Sequence, residues 1–182
     1  VNYLPGYGEE VGDYLVNHPK IPTIAFTGSK AVGLHILKTA NQVKAGQTEV
    51  KRCIIEMGGK NAVIVDSDAD LDEAVDGVLY SAFGFAGQKC SACSRVIVLE
   101  NVFDKFESRI LEATKSILQT SAEDGLGYFG PVVDEEAHQR IMNTISEAKK
   151  SSKILYQGPE IQNGYYVPAT IFTQVDPNSS LA

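Results

Sequence analysis

The segment FGFAGQKCSACSR, residues 83–95, joins a helical pattern to a strand pattern. Before it, apolar side chains recur at the spacing of one helix face, and after it comes the apolar run VIVL, residues 96–99. Asp70 is placed to cap that helix, with Glu73 as its capping partner. A helix that passes through a glycine-rich loop into an apolar strand is the repeating unit of α/β proteins. The segment therefore predicts that class.

The rest of the chain repeats this alternation of strands and helices. We predict strands at residues 1–4, 21–26, 51–57, 62–65, 96–99 and 169–173, and helices at residues 9–17, 30–41, 70–82, 102–118 and from Asp134 onward. Most of the predicted strands are continuous apolar runs, which are typical of parallel strands buried on both faces. The sequence therefore predicts an α/β fold with mainly parallel sheets and flanking helices. The predicted seam lies at Gly58-Gly59, between residues 1–58 and residues 59–182.

Composition and charge indicate a soluble globular protein and argue against several classes of partner. A chain of 182 residues suits one domain or pieces of two, and 43% hydrophobic with 21% charged residues is ordinary for a soluble globular protein. The net charge of −7, with no cluster of Lys or Arg, argues against a nucleic-acid partner. We expect no membrane partner and no signal peptide before Val1, since no apolar run approaches the roughly 18 residues of a membrane span. Three cysteines do not form a disulfide framework, which indicates a reducing compartment, most simply the cytoplasm.

Cys90 is the first candidate for chemistry. Small residues on both sides of Cys90 let the backbone approach a ligand closely. Such a loop can present a sulfur and nearby N–H groups to the same atom, as a nucleophile with an oxyanion site requires. The alternative is a buried, inert thiol on a tight turn.

Cys90 and Cys93 also have C-x-x-C spacing. A zinc site needs four ligands, and the sequence offers neither a second cysteine pair nor clustered histidines, which argues against zinc. A thioredoxin-like redox pair remains an alternative, although we interpret Cys93 as a packing residue. A Cys–His hydrolase has no favoured histidine.

Gly28 and Ser29 stand between a predicted strand and a predicted helix. Gly28 lets the chain turn sharply, and Ser29 is placed to cap the helix. A helix N-terminus after such a turn can bind an anion, because its first N–H groups point outward. A plain cap on a packing helix is an equal alternative, since the full G-x-G-x-x-G fingerprint is absent.

Glu56 interrupts an apolar strand just before Gly58-Gly59. We expect its carboxylate to be partly desolvated, as suits a general base. A solvated glutamate at a strand end is the alternative. Cys53, in the middle of the same strand, is interpreted as a core residue.

A thiol, a carboxylate and an anion-binding turn are the parts that aldehyde oxidation needs, with a nicotinamide as the hydride acceptor. The motifs FTGS at residues 26–29, EMGGK at residues 56–60 and GQKC at residues 87–90 together resemble the signature motifs of the aldehyde dehydrogenase superfamily, in order and in spacing. More narrowly, residues 81–92 and residues 127–134 resemble the delta-1-pyrroline-5-carboxylate dehydrogenases. The resemblance covers essentially the whole chain.

The resemblance implies an activity and a set of catalytic residues. Family members of this type oxidise glutamate semialdehyde to glutamate with NAD in proline and arginine catabolism, in some bacteria as one half of a bifunctional protein. Cys90 would be the nucleophile, which forms a thiohemiacetal and then a thioester, and its backbone N–H would donate to the oxyanion. Glu56 would be the general base for deacylation. Ser91 is a candidate for binding the substrate carboxylate, with loop packing as the alternative role.

The resemblance also implies cofactor contacts and domains. Gly28 and Ser29 would contact the pyrophosphate of NAD, while the other implied cofactor residues are Gly8, Val32, Gly33, Met57 and Gly58. Residues 1–58 would be the C-terminal part of the NAD-binding domain, and residues 59–182 the N-terminal part of the catalytic domain. A homo-oligomer is expected for the full-length protein.

The resemblance is to the middle portion of a longer protein. The upstream asparagine of the oxyanion hole and the lysine that grips the adenosine ribose have no counterpart in these 182 residues. We therefore expect a fragment that is inactive by itself. Three alternatives stay open. The enzyme could act on another aldehyde, it could use NADP in place of NAD, or the chain could be a catalytically silent module that folds or binds a partner.

Overall fold

The computed structural model describes residues 1–121 and 123–182. Its helices are α1 (Asp13–Asn17), α2 (Lys30–Ala40), α3 (Leu71–Phe83), α4 (Glu100–Ser116) and α5 (Glu135–Ala148), with a π-helical turn at Gly8–Gly12 and a 3₁₀ turn at Gly84–Gly87. Its strands are β1 (Thr23–Gly28), β2 (Arg52–Met57), β3 (Asn61–Val65), β4 (Cys93–Val98), β5 (Lys153–Gln157) and β6 (Thr170–Thr173). The described residues divide into two units, Val1–Gly58 and Gly59–Ala182.

The first unit is built on a parallel pair of strands. Strands β1 and β2 run in register from Thr23 opposite Arg52 to Gly28 opposite Met57. Helix α2 connects them and packs closely on β2 at Gly33, where an added Cβ would lie 2.8 Å from the Met57 sulfur. The glycine therefore permits a close approach of helix and strand that a larger residue would prevent.

The second unit contains a parallel pair, β3 and β4, and an antiparallel pair, β5 and β6. Helix α3 connects β3 to β4 and begins at Asp70, whose carboxylate accepts hydrogen bonds from the N–H groups of Asp72 and Glu73. The buried core joins these elements to α4 through Val65, Val75, Val78, Leu79, Phe106 and Ile110. Helix α5 is capped by Asp134, which accepts from the N–H of Ala137. Two parallel pairs with flanking helices confirm the predicted α/β class.

Two expectations about the strands are wrong. Residues 1–4 form no strand in the described structure and are exposed. Strands β1 and β2 are not buried on both faces, since exposed and half-buried positions alternate along β2 and Ile54 is 47% exposed. The physical reason is that this sheet has only two strands in the described residues and carries α2 on one face. No helix in the described part of the chain is long and apolar enough to cross a membrane.

Candidate active site

Cys90 lies on a β-turn between α3 and β4. The N–H of Ala92 donates to the carbonyl of Lys89 at 3.1 Å, which closes a four-residue turn with Cys90 and Ser91 at its two central positions. We call Lys89–Ala92 the Cys90 turn. Both Cys90 and Ser91 are exposed, so the described structure presents the thiol at the surface instead of burying it.

The backbone leading to this turn is held in an uncommon conformation. Phe85 and Ala86 have φ values of 57° and 54°, and Gly87 follows with a φ of 69°. For residues other than glycine, the left-handed region costs about 1–3 kcal/mol each and is retained only where surrounding contacts determine it. Gly87 has a second constraint, because an added Cβ would lie 2.9 Å from the carbonyl oxygen of Ala82. Gly87 is thus the glycine that this loop requires.

Three side chains anchor the Cys90 turn and its flanks. The Asn61 amide nitrogen donates to the carbonyl of Cys90 at 2.6 Å, and the Gln88 side-chain oxygen accepts from the N–H of Val133 at 3.0 Å. The Ser81 hydroxyl accepts from the N–H of Cys93 at 3.1 Å. Sequence reasoning missed all three anchors. Asn61 directly follows the EMGGK motif and Gln88 lies within GQKC, and these positions are the signals that could have drawn attention to them.

Cys93 has the properties of a packing residue, as the sequence indicated. It is 8% exposed, and its thiol donates to the carbonyl oxygen of Arg95 at 3.2 Å. Burial raises the pKa of the Cys93 thiol. Because thiol–disulfide exchange needs a thiolate, a raised pKa makes Cys93 a poor redox partner for Cys90. Residues 1–121 and 123–182 contain no group of three side chains that could hold a metal ion.

The Gly28-Ser29 turn contains the helix cap that the sequence predicted. The Ser29 hydroxyl accepts from the N–H of Val32 at 3.3 Å and so caps α2. An added Cβ at Gly28 would lie 2.5 Å from the tip of the Phe26 ring, which would have to move to admit it. An exposed helix N-terminus at the end of a strand favours an anion, because its first N–H groups lack partners within the helix. The residues present therefore fit a pyrophosphate group.

The remaining cofactor candidates fall into three environments. Met57 pairs with Gly28 at the carboxyl ends of the two parallel strands, the edge at which α/β sheets bind ligands. Val32 is 46% exposed, whereas Gly33 is buried against Met57. The structure thus brings Gly28, Ser29, Val32, Gly33 and Met57 to one end of the β1–β2 pair, followed by the exposed Gly58. Gly8 begins the separate π-helical turn and is also exposed.

Glu56 is exposed, so the expected partial desolvation of its carboxylate is wrong for the described structure. It lies on β2 opposite Thr27, one residue before Met57. Successive side chains of a strand point to opposite faces, and Ile55 and Met57 contact the position of Gly33 on α2. Glu56 therefore points away from α2, toward the face that the helix leaves uncovered. Cys53, interpreted as core, is half-buried on the same strand.

Comparisons with known proteins agree with one another. The aldehyde dehydrogenase family model matches residues 1–182. A curated 1-pyrroline-5-carboxylate dehydrogenase from Geobacillus sp. strain WCH70 is 44% identical over 182 residues, which are 100% of this chain and 35% of that protein. The chain therefore spans about a third of the length of the curated relatives it matches.

Solved structures give the same result. The chain resembles proline utilization A (PutA) from Bdellovibrio bacteriovorus, inactivated by N-propargylglycine, with 62% identity and a TM-score of 0.96 over 98% of this chain and 19% of that one. It also resembles 1-pyrroline-5-carboxylate dehydrogenase from Thermus with bound NAD, with 40% identity and a TM-score of 0.94 over 98% of this chain and 35% of that one.

Proposed function

Because the chain belongs to the aldehyde dehydrogenase family, we propose that the whole protein containing it oxidises an aldehyde to a carboxylic acid with NAD. The substrate we propose is L-glutamate γ-semialdehyde, which forms from 1-pyrroline-5-carboxylate, and the product is glutamate. The relatives named for that substrate are 44% identical across the full chain, and the similar Thermus structure contains NAD.

The exposed thiol on the anchored Cys90 turn is the observation that carries this proposal. The Cys90 thiolate attacks the aldehyde carbon, a sulfur–carbon bond forms, and the carbonyl electron pair moves to the oxygen. Within the described residues, the Cys90 N–H donates no hydrogen bond, so it is free to stabilise that oxyanion. Loss of hydride from the same carbon leaves a thioester on Cys90.

NAD supplies the hydride acceptor when it is bound. We assign its pyrophosphate to Gly28, Ser29 and the N-terminus of α2, where the cap geometry and the exposed N–H groups support an anion. Val32 and Gly33 are assigned to the adenine side and the Met57 backbone to the nicotinamide, while Gly58 and Gly8 complete the proposed cofactor set.

We assign Glu56 as the general base for the thioester hydrolysis that releases the product. Water loses a proton to the Glu56 carboxylate and its oxygen bonds to the thioester carbon, after which the carbon–sulfur bond breaks and the thiolate leaves. The support for this role is the position of Glu56 in the EMGGK motif and the exposure of its carboxylate to solvent water.

The remaining assignments follow from the same family. We propose residues 1–58 as the C-terminal part of the NAD-binding domain and residues 59–182 as the N-terminal part of the catalytic domain. The Ser91 hydroxyl, exposed beside Cys90, is assigned to the substrate carboxylate. A homo-oligomeric assembly and a cytoplasmic location stay predictions.

The test mixes the whole protein with NAD and glutamate semialdehyde and follows NADH. We expect turnover with the semialdehyde to exceed turnover with propionaldehyde, which has no carboxylate for Ser91. An active wild-type protein with equal rates on both aldehydes would contradict the substrate assignment, and absence of NADH with every aldehyde would contradict the activity.

A bifunctional proline-utilisation protein is a second candidate, favoured by the 62% identity to PutA from Bdellovibrio bacteriovorus. In that case the same purified polypeptide should also reduce an added electron acceptor with proline as the donor. A protein that oxidises the semialdehyde but not proline would exclude this candidate and retain the first.

A further inference from the structure

Asn61 contacts the Cys90 turn twice through one side chain. The residue begins β3, and its amide nitrogen lies 2.6 Å from the carbonyl oxygen of Cys90 and 3.3 Å from that of Ala92. An amide NH₂ carries two hydrogens, so one side chain can donate to both carbonyls. The two bonds fix the peptide groups on either side of the Ser91–Ala92 peptide, and with them the path of the turn.

Asn61 is itself held in place. It pairs with Cys93 at the bulge where the β3–β4 register shifts, and its carbonyl accepts from the Ser94 hydroxyl at 3.3 Å. The Arg95 guanidinium also donates to the carbonyl of the preceding residue, Lys60. The amide therefore extends from the fixed edge of a sheet, and this makes it a rigid support instead of a mobile surface side chain.

Gly59 supplies an independent observation. An added Cβ at Gly59 would lie 2.9 Å from the carbonyl oxygen of Cys90 and 3.0 Å from the amide nitrogen of Asn61. Real Cβ atoms essentially never approach that closely to a carbonyl oxygen. The second glycine of the Gly58-Gly59 pair thus leaves the space in which the Asn61–Cys90 hydrogen bond forms.

The contact acts on the thiol through the backbone. A trans peptide is planar, so fixing the Cys90 carbonyl also fixes the direction of the Ser91 N–H and the rotation about the Cys90 Cα–C bond. We propose that Asn61 is a positioning residue, which sets the direction of the Cys90 nucleophile and of the Ser91 N–H. This inference rests on the proposed function, because it concerns the same thiol.

The experiment uses the whole protein with Asn61→Ala, Gly59→Ala and the control Asn143→Ala. Asn143 lies exposed on α5, where the one hydrogen bond of its side chain in the described residues is accepted from Gln139, so its loss leaves the Cys90 turn intact. Hydrogen–deuterium exchange is measured for the peptide spanning residues 88–93 and for α4. Steady-state kinetics give kcat and the KM for NAD.

Both Asn61→Ala and Gly59→Ala should speed exchange in residues 88–93 and leave α4 unchanged. Their kcat should fall about ten- to a hundredfold, as expected for a displaced reacting group, with an unchanged KM for NAD. Asn143→Ala should match the wild type in every measurement.

Three results would overturn the inference while the wild type is active. They are unchanged exchange in residues 88–93, faster exchange throughout α4 that indicates a merely structural role, or faster local exchange with an unchanged kcat. A wild-type protein without aldehyde oxidation would instead overturn the proposed function, and the positioning role with it.

Discussion

The Gly28-Ser29 turn and the Cys90 turn differ in what holds them. Ser29 caps α2 through a hydrogen bond to a residue three positions away, and Gly28 makes room for Phe26 two positions before it. The Cys90 turn depends on Asn61, which is 29 residues from Cys90 in the sequence. The loop before the turn depends on the Gln88–Val133 hydrogen bond, which spans 45 residues. The first turn is therefore a local structure, and the second is assembled by the surrounding fold.

This difference predicts which turn tolerates substitution. A locally determined turn should lose roughly the energy of one cap when a single side chain is removed. A turn that several distant contacts hold in an uncommon conformation should lose its geometry, and with it the chemistry at its centre.

Replacing Cys90, inside the turn, and Cys93, directly after it, should give the largest contrast. Cys90→Ala should abolish NADH formation by the whole protein, a loss of about 10⁶-fold that is typical of removing a nucleophile. Cys93→Ala removes a buried sulfur, so it should lower the midpoint of thermal unfolding. Its kcat should stay near the wild-type value, because this sulfur does not reach the surface at which Cys90 is exposed. NADH formation and thermal unfolding measured side by side check both. A Cys93→Ala enzyme as inactive as Cys90→Ala would contradict the separation of roles.

Glu56→Gln should have the next largest effect. Removing a general base slows its step by about 10²–10⁴-fold. Thioester hydrolysis should therefore be slow, while the first turnover still releases a burst of NADH in stopped-flow measurements. Loss of the burst together with the steady-state rate would remove Glu56 from the deacylation step.

Glycine-to-alanine substitutions should change the stability of the protein in opposite directions inside the loop before the Cys90 turn and outside it. Gly87→Ala meets both a positive φ and the Ala82 carbonyl, so it should destabilise the protein by about 1–3 kcal/mol. Gly77→Ala lies on the exposed face of α3 with no atom within 4 Å of the new Cβ, so it should stabilise by about 0.5–1 kcal/mol. Denaturant unfolding of the two variants measures both changes. A stabilising Gly87→Ala would show that the loop is not held in this conformation.

The Gly28-Ser29 turn should give the smallest effect. Ser29→Ala removes a helix cap and should cost about 1 kcal/mol of stability. The matched control is Asp134→Ala, which removes the cap of α5 at a similar cost. Only Ser29→Ala should also raise the KM for NAD, since only that cap borders the proposed pyrophosphate site. Equal KM values for the two variants would favour the alternative of a plain cap on a packing helix.

The sequence predicted interactions between residues that are close together in the chain, and it did not predict interactions between distant segments. The caps at Ser29 and Asp70 were predicted because each hydroxyl or carboxylate bonds an N–H within three residues. The packing role of Cys93 was predicted because the sequence around the C-x-x-C spacing supports neither a zinc site nor a thioredoxin-like pair. The three anchors of the Cys90 turn and its flanks were not predicted, since each requires knowing which distant segments the fold brings together.

Errors arose where the environment, not the residue, determines the outcome. Residues 1–4 are apolar enough for a strand, but a strand needs a partner, and the described structure gives them none. Glu56 was expected to be partly desolvated because its strand is apolar, yet the face on which it lies is uncovered in the described residues. Alternation along β2 explains both its exposure and the half-burial of Met57.

Trapping the acyl group tests the central claim most directly. The whole protein carrying Glu56→Gln is mixed with NAD and glutamate semialdehyde, quenched in acid during the burst, and digested for mass spectrometry. We expect the peptide that contains Cys90 to gain the mass of the acyl group as a thioester, in proportion to the NADH released. NADH release with an unmodified Cys90 would contradict the account.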